Sequence, residues 1–192
     1  MIQVFDNIIP LTAQQRLIDL VNERHFRWYY RKSVSYQSPS NVPAFFTNMD
    51  TSGYACPAYI KNAIEVQELM PYAQQIFDNM YDLTGIKVND LIRVTFNLLY
   101  QHPSKEFTKD TWNSAHTDQQ HDHKVLLYYV DNSDGDTFIF NERAGETFDK
   151  FTVNQRITPK RGSAVLFDGT QYHASSNPLN SFKRYTINFN FV

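Results

Sequence analysis

The 192-residue chain reads as mainly β, an antiparallel sandwich or jelly roll supported by N-terminal helices, and three observations lead there. From residue 91 onward, five β runs follow one another without a helical period between them. Two stretches in the first half carry apolar residues at helical spacing. The third observation is composition: 15 Phe and 12 Tyr in a chain that is 42% hydrophobic suit wide pleated surfaces. At this length one domain, residues 1–192, is the expectation.

The elements follow in order. Thr12 with Gln15 has capping-box spacing, and Leu17, Leu20 and Val21 then form an apolar stripe, which predicts a helix over about 12–24. A second helix is predicted from Leu69, Tyr72, Ile76, Phe77, Met80 and Leu83, ending at Gly85. Both belong to a helical support, about 10–85, packed on a sheet. Between them, residues 31–55 mix Ser, Pro and Gly with aromatics, as short strands joined by long loops do. The later β runs are LIRVTFNLLY, KVLLYYV, DTFIFN, GSAVLFD and RYTINFNFV, each bounded by Gly, Pro, Asp or Asn. Pro159-Lys160-Arg161-Gly162 reads as the turn before one of them.

Composition also excludes functions. A formal net charge of -2 without a long basic run gives no footprint for nucleic-acid binding, so a small molecule or an exposed peptide is the expected partner. The opening MIQVFDNIIP has no basic n-region and is interrupted by Asp6, so neither a secretory signal nor a membrane span is readable, and a soluble, cytoplasmic protein is expected. Cys56 is the single cysteine, which removes an internal disulfide and a thiolate-rich zinc site together. No partner motif surrounds it, so it reads as a partly buried thiol beside Pro57.

The stretch SAHTDQQHDH, residues 114–123, holds three of the chain's six histidines and two aspartates. On a strand, residues i and i+2 share a face, so His116 with Asp118, or His121 with His123, are candidate metal-binding pairs. A His-x-Asp pair alone is weak, since roughly 0.4 are expected by chance from this composition. His173, following the run AVLFD, supplies a third ligand if the two strands are neighbours. Two imidazoles and a carboxylate would leave positions open on an octahedral ion, the facial arrangement of non-haem Fe(II) oxygenases, although zinc accepts the same ligands. His121 and His123 lack a glutamate at short spacing and read as polar residues near the site. On the last run, Arg184 and Thr186 share one face, and Lys183 and Tyr185 the other. A guanidinium held inside a barrel can clamp a carboxylate through two parallel hydrogen bonds, with a hydroxyl beside it adding a third.

Taken together, LLY (98–100), HTD (116–118), VLLYYVDNSDGDTFIF (125–140), GSAVLFDGTQYHASSNP (162–178) and KRYTINF (183–189) resemble the iron(II) and 2-oxoglutarate dependent oxygenases, most closely the prolyl-hydroxylase-like branch. The resemblance covers about residues 90–192 and implies a double-stranded β-helix (jelly roll) there. It implies His116, Asp118 and His173 as ligands of Fe(II), Arg184 as the receiver of the distal carboxylate of 2-oxoglutarate, and Thr186 at the hydroxyl position of the family's Arg-x-Ser pair. Tyr129 and Tyr100 match tyrosines of the cosubstrate pocket, with Leu127 and Phe138 as apolar walls. The implied activity is hydroxylation of an unactivated C–H bond with dioxygen, with ascorbate as a candidate reductant and prolyl or peptidyl hydroxylation the nearest analogy. Two departures stand out: Gly135-Asp136 replaces the usual Gly-Gly, and Lys183 occupies the place of a lysine that some prolyl hydroxylases use. Strand parity and the family's Arg-Tyr pattern favour Arg184 over Lys183. Trp112, Phe107, Tyr36, Phe45 and Phe46 are candidates for an aromatic rim over the metal. The competing reading is a jelly-roll module that binds a metal and a ligand without chemistry, and Arg184 with Thr186 is the feature that separates the two.

Overall fold

A computed structural model of the chain describes residues 1–34, 51–103 and 107–192. Its strands are β1 (Gln3–Phe5), β2 (Tyr29–Arg31), β3 (Gly53–Ile60), β4 (Ala63–Ile64), β5 (Leu91–Tyr100), β6 (Lys124–Tyr129), β7 (Thr137–Arg143), β8 (Val153–Ile157), β9 (Ala164–Asp168), β10 (Gln171–Ser175) and β11 (Lys183–Phe191). The helices are α1 (Leu11–Val21) and α2 (Met70–Thr84), the second entered through a short 3-10 turn, Gln67–Leu69. The large sheet runs β1-β9-β6-β11-β5-β3-β2, with β4 paired to β3, and the small sheet runs β10-β7-β8. Every pairing is antiparallel.

The five β runs read from the sequence are β5, β6, β7, β9 and β11. Beside them stand strands that the sequence leaves unmarked. β8 (VNQRI) is an edge strand of mostly exposed residues, so it shows no apolar alternation. The expected capping box does not form: α1 starts after Pro10 with no side-chain cap, and Gln15 Nε2 instead donates to Asp19 Oδ1 one turn on, at 2.8 Å. Pro10 provides the extended entry, at φ -57° and ψ 148°, that leaves Thr12 inside the first turn. α2 ends as expected at Gly85, whose φ of +69° lets its N–H reach the Tyr81 carbonyl at 2.7 Å.

β11 and β5 divide the protein into its two faces. Tyr185, Ile187, Phe189 and Phe191 alternate with Arg184, Thr186, Asn188 and Asn190, while Val94, Phe96 and Leu98 alternate with Arg93, Thr95 and Asn97. Antiparallel register sets Thr186 opposite Asn97, Asn188 opposite Thr95 and Asn190 opposite Arg93, so like faces coincide. The apolar face packs on the helices through Leu17, Val21, Ile76, Phe77 and Met80, with Phe77 meeting Phe189 edge-on at 4.8 Å. Burying such a side chain stabilises by roughly 1.5–3 kcal/mol, which is why this face is carpeted with large residues. The polar face turns toward the small sheet and lines the cavity between the two. Cys56 is fully buried in the helix-side core, and burial, weakly opposed by Arg27, pushes its thiol up to about 11, so it is no nucleophile. Among the described residues, no helix is long and apolar enough to cross a membrane.

Candidate metal centre

His116 and His173 face each other across an isolated antiparallel bridge in which each backbone N–H donates to the other's carbonyl at 3.0 Å. Residues paired in this way project their side chains to the same face, and the two imidazoles lie 4.7 Å apart, centre to centre. His173 sits in the middle of β10, one short turn after β9. Asp118 reaches the same point from a bend rather than a strand, so the convergence of His116 and Asp118 does not depend on regular alternation. The Nε2 atoms of His116 and His173 each lie 3.8 Å from an oxygen of Asp118, and the three ligand atoms are all within 4.8 Å of one another.

The histidine tautomers suit a metal. His116 Nδ1 is 3.0 Å from the Ser114 carbonyl and His173 Nδ1 is 3.3 Å from the Gln171 carbonyl. A carbonyl can only accept, so each Nδ1 carries a proton, and in the neutral ring each Nε2 keeps its lone pair toward Asp118. Burial first, and repulsion from a protonated His116 second, push His173 down to about 4, which leaves it neutral at physiological pH. Burial opposes ionisation of Asp118, but attraction to the His173 imidazole in its protonated form, to Arg93 and to a protonated His116, with a bond from Asn188, outweighs it and holds the carboxyl well below its ordinary range. Asp118 is gripped from the large sheet: Arg93 Nη2 donates to Oδ1 at 2.9 Å, and Asn188 and Asn190 each donate to Oδ2 at 2.8 Å. Two imidazoles whose Nε2 atoms converge on one ionised carboxylate, each oriented by a hydrogen bond behind it, fit a divalent ion such as Fe(II) or Zn(II).

Arg184 lies in the same cavity, which encloses about 330 Å³ and is also lined by the three candidate ligands. Arg184 is 4% exposed, and the partners of its guanidinium are the Gly135 carbonyl, 2.7 Å from Nε, and the Thr137 hydroxyl, 2.8 Å from Nη2. Among the described residues no carboxylate pairs with it. Burial pulls it below its usual pKa, partly offset by Tyr129 and Asp136. Thr137 Oγ1 also accepts from Tyr129 Oη at 2.9 Å, so both of its lone pairs are occupied and its own proton is free to be donated to a ligand. Tyr129 is fully buried behind the wall, and burial pushes its phenol up to about 12, keeping it a neutral donor. Thr186 and Leu127 line the cavity beside Val125 and Phe167. Gly135 is required where it stands, since a Cβ there would come within 2.7 Å of the Ser176 carbonyl and 3.0 Å of Arg184 Cδ. The Asp136 that follows buries its carboxylate against Arg156 Nε, which absorbs the departure from Gly-Gly.

Other expected site residues lie elsewhere. Alternation in β7 sends Thr137 and Ile139 inward and Phe138 to the back of the small sheet, where it packs on Trp112 at 5.3 Å and under Arg156. Phe138 is therefore no wall of the cavity, and Trp112 no rim over the metal. Tyr100 ends β5 on the helix side, 39% exposed between Tyr54 and Phe182, with no place in the cavity lining. Phe107 stacks on His102, while Tyr36, Phe45 and Phe46 lie outside the described residues. Lys183 points to the outer face, over the Tyr185 ring and against Asn22. His121 is exposed in a bend, and His123 is buried with Nδ1 on the His121 carbonyl and its ring filling the space that Gly169 leaves. Neither belongs to the ligand cluster.

Sequence reasoning missed Arg93, Asn188, Asn190 and Thr137. A signal for the first three was present, because polar residues at every second position of two strands that are otherwise strongly apolar mark an inward polar face.

No protein-family model matches the chain, and no curated protein matches its sequence. Solved structures do match its fold. An oxidoreductase of the 2OG-Fe(II) oxygenase family from Burkholderia pseudomallei superposes with a TM-score of 0.65 at 10% identity, over 99% of this chain and 84% of that one. A prolyl hydroxylase from Trichoplax adhaerens, in complex with a hypoxia-inducible-factor peptide fragment, gives 0.60 at 12% identity, over 99% and 82%. The non-heme alpha-ketoglutarate dependent epimerase SnoN from nogalamycin biosynthesis gives 0.61 at 8% identity, over 99% and 78%. The chain thus has the jelly-roll fold of 2-oxoglutarate-Fe(II) oxygenases, a scaffold on which both peptide and small-molecule enzymes are built.

Proposed function

We propose that the protein is an Fe(II)- and 2-oxoglutarate-dependent oxygenase that hydroxylates an unactivated C–H bond of a peptide residue or small molecule. The observation that carries this reading is Arg184: a buried guanidinium whose hydrogen-bond partners among the described residues are all neutral, in the same cavity as two histidines and an aspartate. A guanidinium buried for structural reasons is normally matched with a carboxylate, because its desolvation costs several kcal/mol. Here the matching anion would be the distal carboxylate of 2-oxoglutarate.

Each residue has a part in such a reaction. His116, Asp118 and His173 would hold the ion on one side and leave its other positions open to ligands. When bound, Fe(II) supplies the means to activate dioxygen with electrons from 2-oxoglutarate. Arg184 presents its planar fork and Thr137 its hydroxyl proton to the distal carboxylate, with Thr186 alongside. Tyr129, donating to Thr137, fixes the direction of that proton. Val125, Leu127 and Phe167 keep the surrounding wall apolar and water-poor, which strengthens the ionic contact. The overall balance is substrate C–H, 2-oxoglutarate and dioxygen giving substrate C–OH, succinate and carbon dioxide.

Protein loaded with Fe(II), with ascorbate and oxygen, is expected to convert 2-oxoglutarate to succinate slowly by itself and faster with a substrate that gains 16 Da. An iron-loaded, 2-oxoglutarate-binding sample that forms no succinate would favour the non-catalytic binding module instead.

A further inference from the structure

The inner face of β5 carries hydrogen-bonding groups that neither the metal centre nor the Arg184 pocket uses. Arg93 donates through Nε to Asn190 Oδ1 at 2.9 Å and through Nη2 to Asp118, which leaves both hydrogens of Nη1 without a protein acceptor among the described residues. Thr95 is 3% exposed, and its hydroxyl has no partner among the described residues. Asn97 makes one long donation, 3.4 Å, to the Thr95 carbonyl. All three line the cavity, and as i, i+2 and i+4 residues of one strand they form a row with steps of roughly 7 Å. A buried hydroxyl left unpaired costs about 1–3 kcal/mol, so the row suits a ligand that completes it.

Charge selects the kind of ligand. With a divalent ion and a dianionic cosubstrate bound, the ion and Arg184 are balanced by Asp118 and the two cosubstrate carboxylates. Arg93 remains, beside Arg31, the other cationic side chain of the lining. A single further carboxylate neutralises Arg93 and accepts a charge-assisted hydrogen bond from its open Nη1, whereas an internal peptide bond would leave the charge unmatched.

We propose that Arg93, Thr95 and Asn97 form the primary-substrate subsite, and that the substrate carries a free carboxylate which Arg93 receives. Thr95 and Asn97 then bond polar atoms of the same molecule and orient the C–H bond to be hydroxylated. This assignment rests on the oxygenase reading above. The carboxylate has two sources, a free amino or organic acid and the C-terminus of a peptide, and they share the chemistry.

The test uses proteinogenic amino acids, short dicarboxylic acids and proline-containing peptides, each offered as the acid and as its amide or methyl ester. Binding to the Mn(II)- and 2-oxoglutarate-loaded protein is read by calorimetry, and stimulated succinate release with the Fe(II) protein. The expected result is at least one acid that binds about tenfold or more tighter than its amide, with that preference reduced to less than about threefold in Arg93→Gln. Thr95→Val, which leaves the Asp118 grip untouched, is expected to raise the substrate KM by about tenfold while the 2-oxoglutarate KM moves less than about threefold. Free acids outperforming peptide acids place the source among metabolites, and the reverse places it at a peptide C-terminus. Acids and amides binding equally, or equal shifts of the 2-oxoglutarate and substrate KM in Thr95→Val, would overturn the subsite. Absence of succinate under every condition, with acid-selective binding retained, would overturn the oxygenase reading and leave the subsite standing.

Discussion

Replacing Arg184 with Met separates a ligand-binding guanidinium from a structural one. The residue is 4% exposed, and among the described residues its side chain's hydrogen bonds go only to the Gly135 carbonyl and the Thr137 hydroxyl. Met has similar length and no charge, so it removes a desolvation penalty of several kcal/mol together with two charged-donor bonds of about 1.5–3 kcal/mol each. These contributions oppose one another. Thr137 keeps its bond from Tyr129, so the main residue of damage is the Gly135 carbonyl, and the ligand-free variant is expected to melt within a few degrees of the parent. Cosubstrate separates the two proteins. With Mn(II) and 2-oxoglutarate at a hundred times its Kd, the parent gains about 2.7 kcal/mol, or roughly 5–10 °C in Tm for a chain of this size. Losing a buried charge pair of about 2–5 kcal/mol weakens binding roughly 30- to 5,000-fold, so at the same concentration the variant gains at most about 1 kcal/mol. Differential scanning calorimetry with and without 2-oxoglutarate measures both numbers. A ligand-free variant that is severely destabilised, yet shifts with 2-oxoglutarate as the parent does, would refute this reasoning and make Arg184 a structural residue.

The metal assignment predicts that His116→Ala and His173→Ala abolish tight Fe(II) uptake, whereas His121→Ala keeps its stoichiometry; metal analysis of the purified variants checks it, and loss in His121→Ala with retention in His116→Ala contradicts it. Acid should destabilise the metal-free protein in a defined window. His173 is pushed from 6.5 down to about 4, so the unfolded chain binds the proton first, and this group's stabilisation is complete above about pH 6.5 and lost as pH falls toward 4. Melting temperatures between pH 7 and 4 should therefore slope less in His173→Leu than in the parent, and equal slopes would count against the burial argument.

The strand runs from residue 91 onward, the amphipathic helices and the Gly85 stop are local matters of period and turn chemistry, and they were legible in order along the chain. So was the inward face of β11, since parity alone sets Arg184 and Thr186 apart from Lys183 and Tyr185. Parity would also have turned Phe138 away from the cavity, had Thr137 been recognised as the inward residue of β7. The strand boundaries hid this, because a buried sheet packed on both sides reads as continuously apolar, TFIF, and conceals its own alternation.

Other features exist only once strands pair. The facing of His116 and His173 is set by one bridge joining positions 57 residues apart, and Asp118 is brought to them by a bend. Its grip by Arg93 requires β5 to lie beside β11 in the observed register, with Asn190 opposite Arg93. Sequence determines which side chains a strand offers to each face, because the pleat has period two. Which offered side chains meet depends on register and sheet closure, and the pairing of distant strands is where local chain geometry stops and tertiary structure decides.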